Sequence, residues 1–419
     1  MEYFLIVVVF VLGYFAIILE YYIKVNKTAV ALLIGTICWT IYMSCKISSD
    51  LYDLGHHVSE ISQIIFFLIG AMTLVELIDS HRGFKIITDR LRIRSKRKML
   101  WVISVASFFL SAVLDNLTTT ILIVSLLRKL IPDRKERFLM VCIVVVAANA
   151  GGAWTPIGDV TTTMLWINGQ LSSFSVIKAL IIPSIISLLI PLIWYSLRLK
   201  GKFTSADLQK VEPAEPGAKV VFSLGIGGLI FVPIFKGLTG LPPFMGVILA
   251  LALLWIVTDL MHYPHEERKH LRVPHVLTRV DTSGVLFFLG ILLSVAALQS
   301  AGILKIAAEW LNKTIDNPTW IATLLGIFSA IIDNVPLVAA TMGMYPLEVF
   351  PMDSSFWHMI AYAAGTGGSI LIIGSSAGVA IMGIEKIDFL SYAKKMSLPV
   401  GIGYLTGMLS YLILRPFLT

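Results

Sequence analysis

The chain has 419 residues, of which 57% are hydrophobic and 14% are charged, and its mean hydropathy is +0.85. Soluble proteins are about 45–50% apolar and about 25% charged, so this composition excludes a soluble enzyme, a nucleic-acid-binding protein and a secreted disulfide-stabilised domain. The net charge of +7 comes from basic residues in short segments between apolar runs, where they set membrane orientation. The composition predicts an all-α polytopic membrane protein.

Apolar runs that are long enough for membrane-spanning helices recur along the whole chain. A span requires about 20 predominantly apolar residues. The first run has no preceding Lys or Arg and no small-residue cleavage site, so we interpret it as a span and not as a signal peptide. About ten transmembrane helices are predicted, at 3–23, 28–44, 61–79, 138–166, 175–197, 219–236, 242–258, 283–300, 357–383 and 397–414.

Two further apolar stretches, 99–127 and 317–345, are predicted to be re-entrant hairpins. The segments 82–98 and 128–137, on either side of the first stretch, are strongly basic. Basic loops lie in the cytoplasm, so both ends of this stretch lie on the same side. A hairpin with its tip near Asp115 satisfies this condition, because non-helical backbone is tolerated in the membrane inside protein or a wet cavity. The same rule places both chain termini outside.

The second half of the chain repeats motifs of the first. The string SAVLDN at 111–116 recurs as SAIIDN at 329–334, and AANAGG at 147–152 corresponds to AAGTGG at 363–368. Each half has five spans and one hairpin, and five is odd, so the second half starts on the opposite face and the repeats are inverted. Inverted repeats with broken helices are typical of secondary transporters. The predicted division is a first repeat 1–200 (hairpin 99–127, broken helix 138–166), a cytoplasmic linker 201–218, and a second repeat 219–419 (hairpin 317–345, broken helix 357–383).

Each half also contains residues that weaken a helix within a membrane-length segment. The string AANAGGAWTPIGDVTTT at 147–163 combines two adjacent glycines with a proline, and AAGTGGSILIIGSSAG at 363–378 is its counterpart. Unwound helices free backbone carbonyl oxygens that coordinate Na⁺. The predicted helix-break residues are Gly151, Gly152, Pro156, Gly158, Pro336, Gly367, Gly368 and Gly374.

Three carboxylates, Asp115, Asp159 and Asp333, fall at the predicted mid-depth of the membrane. A charge there costs about 2.5–3.5 kcal/mol on insertion scales, and no Lys or Arg is predicted nearby. A cation must neutralise them, so we predict a Na⁺ site at these residues, with exchange arising if H⁺ and Na⁺ compete. Further oxygen ligands are offered by Asn116, Thr118, Thr119, Thr120, Thr155, Thr161, Thr162, Thr163 and Asn334, and in the second break by Ser369, Ser375 and Ser376.

The strings LDNLTTT at 114–120, ANAGGAWTPIGDVTTTMLW at 148–166 and IDNVPLV at 332–338 closely resemble the NhaD-type Na⁺/H⁺ antiporters of the ion transporter superfamily. The resemblance covers essentially the whole chain. It implies exchange of Na⁺ or Li⁺ for H⁺ in a bacterial inner membrane, no cofactor, and a homodimer among membrane lipids whose transport regions move as elevators against a scaffold. By motif it assigns the ion site to Asp115, Asn116, Thr118, Thr119, Asn149, Asp159, Thr161, Thr162, Asp333 and Asn334.

Other classes of function are distinguished by the chemistry that they require. An anion carrier of the same superfamily, for arsenite or dicarboxylate, would present hydroxyls, amides, half-helix N-termini and positive charge. Three buried carboxylates would repel such a substrate. The sequence contains neither a GxxxxGK[ST] nucleotide loop nor an HExxH zinc motif, so it favours neither an ATP-driven pump nor an intramembrane enzyme.

Overall fold

The computed structural model describes residues 2–18, 20–44, 51–85, 93, 95–203 and 215–417. Most of the predicted linker lies outside these residues. The described ranges are helical, with an isolated antiparallel β-bridge between Ser95 and Lys202. The α-helices are α1 (Glu2–Ile18), α2 (Glu20–Ile23), α3 (Lys27–Ser44), α4 (Leu51–Ser80), α5 (Lys96–Leu114), α6 (Asn116–Leu130), α7 (Arg134–Gly152), α8 (Val160–Ile167), α9 (Ser173–Arg198), α10 (Ala218–Thr239), α11 (Pro243–His262), α12 (Val273–Val276), α13 (Thr282–Ser300), α14 (Ile303–Ile315), α15 (Pro318–Phe328), α16 (Asn334–Met344), α17 (Ser355–Gly367), α18 (Ser376–Glu385) and α19 (Phe389–Leu414).

Eight helices in the described ranges are long and apolar enough to cross a membrane. They keep large apolar side chains exposed, for example Leu253 and Leu260 on α11, as a lipid-facing surface requires. The prediction of an all-helical polytopic membrane protein is therefore confirmed. The eight helices are Lys27–Ser44, Asp53–Ser80, Lys96–Leu114, Ser173–Arg198, Ala218–Thr239, Pro243–His262, Thr282–Ser300 and Phe389–Phe417.

Helices α5 and α6 fold back on each other at Asp115. This residue has a φ of 104°, which interrupts the helix, and its carboxylate caps α6 by accepting the Thr118 N–H at 2.8 Å. At the other end of the pair, Lys96 Nζ in the first turn of α5 lies 2.7 Å from Glu136 Oε1, shortly after the end of α6. A straight helix of this length would separate its ends by about 50 Å. The two ends therefore lie together, and Asp115 lies at the far tip.

Helices α15 and α16 fold back in the same way around residues 329–333. Asp333 caps α16 by accepting the Val335 N–H at 3.2 Å, and the Tyr345 hydroxyl after α16 donates to Asn312 Oδ1, before α15, at 3.1 Å. Pro336 lies in the first turn of α16, where its missing N–H would have no helical partner. The prediction that Pro336 breaks a helix is therefore wrong, because the interruption precedes it.

The other two interrupted helices, α7–α8 and α17–α18, run antiparallel with their breaks side by side. Arg137 in the first turn of α7 pairs with Glu385, the last residue of α18, at 2.8 Å. At the opposite end, the Asp353 N–H before α17 donates to the Gln170 carbonyl after α8 at 2.9 Å. Among the predicted break residues, Gly151, Gly152 and Gly367 lie at the ends of their helices, and Pro156, Gly158, Gly368 and Gly374 lie between the helices.

Each interrupted helix is held against the adjacent fold-back pair by the same two kinds of contact. A serine of the pair donates its hydroxyl to a carbonyl of the interrupted helix, and a glycine of that helix lies directly on a backbone carbonyl of the pair. The serine contacts are Ser111 to Ala148 at 2.6 Å and Ser329 to Ala364 at 3.2 Å. The glycine contacts are Gly151 on Phe108 and Gly367 on Gly326, and a Cβ would approach each oxygen to 2.1 Å. The contacts occupy corresponding positions of the two sequence repeats.

Adding one methyl group at Gly151 is expected to destabilise the protein. The new Cβ of Gly151→Ala would overlap the Phe108 carbonyl, so backbone must move, at a cost of about 1–3 kcal/mol. Thermal unfolding of the purified protein in detergent measures the change. The matched control is Gly401→Ala on α19, where a Cβ meets nothing within 4 Å and alanine favours the helix. Equal melting temperatures for the two variants would contradict this packing.

Candidate functional site

Asp159 lies where the tips of both fold-back pairs meet the two helix breaks. It is buried, and it caps α8 by accepting the backbone N–H and the hydroxyl of Thr161, both at 3.0 Å. Its Oδ2 accepts from Asn116 Nδ2 at 2.9 Å, and Asn334 Nδ2 lies 3.4 Å from the same oxygen. One carboxylate thus receives hydrogen bonds from the tips of both pairs.

Asn149, in the last turn of α7, joins this carboxylate cluster to the second helix break. Its Oδ1 accepts from Asn116 Nδ2 at 3.1 Å, and its Nδ2 donates to the hydroxyls of Ser369 at 2.8 Å and Ser375 at 2.9 Å. Ser375 caps α18 as Asp159 caps α8. The amide side chain therefore continues a buried hydrogen-bond network from one half of the chain to the other.

The remaining two carboxylates flank this network. Asp115 Oδ2 accepts the Thr118 hydroxyl at 2.7 Å, and both Asp115 and Asp333 are half-buried. Asp159 interacts electrostatically with both of them. None of the ion pairs formed among the described residues includes any of the three carboxylates. Like charges so close together require a cation or protons to neutralise them.

Three of the predicted hydroxyl ligands, on Thr119, Thr120 and Thr162, have no hydrogen-bond partner among the described residues. Their Oγ1 atoms are buried, whereas those of the neighbouring Thr118 and Thr161 donate to aspartates. An unsatisfied buried hydroxyl costs about 1–3 kcal/mol, so these oxygens gain from a ligand. The full donor set is carboxylate, amide and hydroxyl oxygen, the type that hard cations prefer.

No hydrogen bond among the described residues joins the Ser376 side chain to this network. Ser376 begins α18. Residues 374–378 also spell GSSAG, which fits the GxSxG pattern of serine hydrolases. That pattern functions at the end of a strand, whereas a short 3₁₀ turn, Ile372–Gly374, precedes the serine here. The geometry therefore gives Ser376 no nucleophilic role.

Sequence reasoning missed Tyr392, which supports the second break. Its hydroxyl donates to the Ser369 carbonyl at 2.7 Å and is buried in the first turn of α19. The nearest sequence signal is the neighbouring pair Lys394 and Lys395, which indicates only a cytoplasmic loop. No local pattern distinguishes this tyrosine from the other aromatic residues of the spans.

Comparison with known proteins agrees with these observations. Residues 14–356 match the family model CitMHS, described as citrate transporter. The chain is 52% identical over 415 residues to sodium/proton antiporter 2 of Arabidopsis thaliana, covering 97% of this chain and 99% of that protein. Sodium/proton antiporter 1 of the same plant is 52% identical over 408 residues, which cover 96% of this chain and 71% of that protein. The Na⁺/H⁺ antiporter NhaD of Vibrio cholerae is 29% identical over 440 residues, covering 97% and 91% respectively. The chain belongs to the citrate transporter family and, within it, to the NhaD-type sodium/proton antiporters.

Proposed function

We propose that the protein exchanges Na⁺ or Li⁺ for H⁺, with both ions competing for Asp115, Asp159 and Asp333. One observation carries the proposal: Asp159 lies at the meeting point of four interrupted helices and interacts electrostatically with Asp115 and Asp333, and none of the three has an ion-pair partner among the described residues. A site of this kind is stable when it holds a metal ion or protons. Alternation between the two occupants, on opposite sides of the membrane, produces exchange.

The second candidate is an anion carrier, since the matching family model is named for citrate. A tricarboxylate would need positive charge, and the described network around Asp159 consists of carboxylates, amides and hydroxyls. The half-helix N-termini of α8 and α18 point toward this centre, but Asp159 already occupies the first of them. Cation exchange is therefore the function that the donor set favours.

We also propose that residues 1–200 and 219–419 are inverted repeats, each with a re-entrant hairpin. The matched serine and glycine contacts and the antiparallel course of the interrupted helices support this arrangement. Alternating access by an elevator-type movement in a homodimer follows from the family resemblance. The bacterial inner membrane stays a prediction from the family resemblance, and the position of both termini outside stays a prediction from the distribution of basic loops.

The direct test is transport by the purified protein in proteoliposomes with an imposed pH gradient. Addition of Na⁺ or Li⁺ should dissipate the gradient, whereas K⁺, citrate, succinate and arsenite should not. Empty liposomes and vesicles with an ionophore give the limits of the signal. Uptake of citrate or arsenite without any response to Na⁺ would establish the anion carrier instead.

Competition at one site makes the affinity for Na⁺ depend on pH. Each fall of one pH unit, in the acidic range where the site is mostly protonated, should raise the apparent KM for Na⁺ about tenfold if one proton competes. The measurement is the initial rate of exchange against Na⁺ concentration at several pH values. A constant KM with a changing maximal rate would show that H⁺ and Na⁺ use different residues.

Removing an unpaired hydroxyl should weaken Na⁺ binding without unfolding the protein. Thr119→Val and Thr162→Val keep the side-chain shape and remove one neutral ligand worth about 0.5–1.5 kcal/mol, which raises the KM for Na⁺ roughly two- to tenfold. The matched control is Thr341→Val on α16, whose buried hydroxyl bonds the Leu337 carbonyl of its own helix. If all three variants have the same KM, Thr119 and Thr162 do not contact the ion.

A further inference from the structure

A polar cavity lies at the end of the molecule where α9 and α17 begin and α19 ends. It is about 350 Å³ in volume, within the range of about 300–1,000 Å³ that is typical of ligand pockets. The cavity lies at the opposite end of α17 from Gly367 and is therefore separate from the carboxylate cluster. Residues of three different helices form its wall, so it is a built feature of the packed fold.

The floor of the cavity is a short chain of paired polar groups. His358 on α17 is buried, and its Nε2 lies 2.9 Å from the Ser175 hydroxyl while its Nδ1 lies 3.1 Å from the Tyr411 hydroxyl. Because both ring nitrogens have partners, the orientation of the ring and of the two hydroxyls is fixed. Since a neutral imidazole donates one hydrogen bond and accepts one, the hydroxyl that accepts from the ring N–H keeps its own proton for a further acceptor.

The rim of the cavity is predominantly positive. Lys178 of α9 and Arg415 after α19 both line it and are exposed. The hydroxyl oxygen of Ser354, at the start of α17, is buried with no hydrogen-bond partner among the described residues. The single carboxylate, Asp353, is tied to the loop, since its Oδ1 accepts the Ser172 N–H at 2.7 Å. The balance of charge therefore favours an anion with several acceptor oxygens.

We propose that this cavity binds a phosphate group, supplied by the head group of a phospholipid. Lysine and arginine are the side chains that recognise phosphate, and serine hydroxyls add neutral donors. Exposed apolar side chains adjoin the cavity, with Phe174 next to Ser175 and Phe417 two residues after Arg415. Acyl chains can lie on these side chains while the phosphate occupies the cavity, which a soluble phosphate ester cannot do.

The test is lipid binding to the purified full-length protein by native mass spectrometry. Phosphatidylglycerol should bind to the wild type, and the double variant K178Q/R415Q should lose at least tenfold in affinity for it. Lys313→Gln is the matched control, because Lys313 is exposed on α14 at the same end of the molecule, next to the Asn312 that bonds Tyr345. This variant should bind as the wild type does. Unchanged melting temperatures separate a binding defect from misfolding.

Two further probes identify the source of the phosphate. Diacylglycerol, which lacks phosphate, should not compete with phosphatidylglycerol, and glycerol 3-phosphate should compete at least tenfold more weakly than the lipid does. Equal competition by glycerol 3-phosphate would overturn the lipid as occupant in favour of a soluble phosphate ester. Equal binding of diacylglycerol, or undiminished binding of phosphatidylglycerol by the double variant, would overturn the phosphate site itself.

Discussion

Replacing Asp159 with Asn is expected to abolish exchange while the protein still folds. Asparagine keeps the size and one carbonyl oxygen, and it caps helices as well as aspartate does. It removes the negative charge that accepts hydrogen bonds from the amides at both fold-back tips. In the proposed mechanism, H⁺ and Na⁺ bind this charge in turn. A unit charge about 4 Å from a bound cation contributes about 4 kcal/mol at an effective dielectric constant of about 20, so its removal corresponds to a loss of more than about 100-fold in cation affinity.

The measurement is exchange in proteoliposomes, together with the melting temperature of the purified variant. Stability should not fall substantially, because the cost of burying a charge is gone. Asp388→Asn is the control: Asp388 also caps a helix, by accepting the Ser391 N–H, but it is exposed and its carboxylate makes none of the contacts of the network. Asp388→Asn should transport at the wild-type rate. If Asp159→Asn also does so, the Asp159 carboxylate has only a structural role.

Replacing Glu385 with Gln is expected to cause the largest loss of stability among single substitutions outside the proposed ion site. Both residues of the Arg137–Glu385 pair are buried, with Nε and Nη2 of the arginine at 3.0 and 2.8 Å from the same carboxylate oxygen. The glutamine variant leaves a buried guanidinium without its counter-ion, at a cost of about 3–5 kcal/mol. Because this pair joins the start of α7 to the end of α18, the loss should loosen the contact between the two halves.

Denaturation of the purified protein in detergent measures this loss, and two comparisons identify its cause. Glu136→Gln removes the partner of Lys96 in a partly exposed pair and should cost less than about 1 kcal/mol. The double substitution Arg137→Met with Glu385→Met should be more stable than Glu385→Gln, since no buried charge remains unpaired; Arg128, which lies 3.6 Å from Glu385, is exposed. A double variant that is no better than the single one would contradict the assignment of the loss to an unpaired charge.

Much of the architecture around Asp159 could be predicted from local patterns. Adjacent glycines and a proline inside an apolar segment indicate a break in any membrane helix, and the repeated Asp-Asn pair marks two equivalent places in the chain. The length of the apolar runs indicates the spans. These features depend on backbone conformation and solvation, which a short stretch of sequence determines largely by itself.

The choice of partners across the fold could not be predicted in this way. Asn149 bonds Ser369 and Ser375 in the other half of the chain, and Arg137 pairs with Glu385 although many nearer carboxylates exist. Such pairings depend on how helices that are far apart in the sequence pack against each other. Pro336 shows that local patterns can also fail at short range. A proline can interrupt a helix or lie in its first turn, and the packing around it determines which of the two occurs.

The two helix breaks share their backbone contacts but differ in the residue that caps the following helix, a carboxylate at Asp159 and a hydroxyl at Ser375. The shape of each break depends on glycine and serine contacts with carbonyl groups, in which the capping side chain takes no part. One substitution at a capping position can therefore change the charge at that helix break while the surrounding helices keep their contacts. The same arrangement of interrupted helices can thus present either a negative or a neutral cap at the centre of the fold, as its own two halves do.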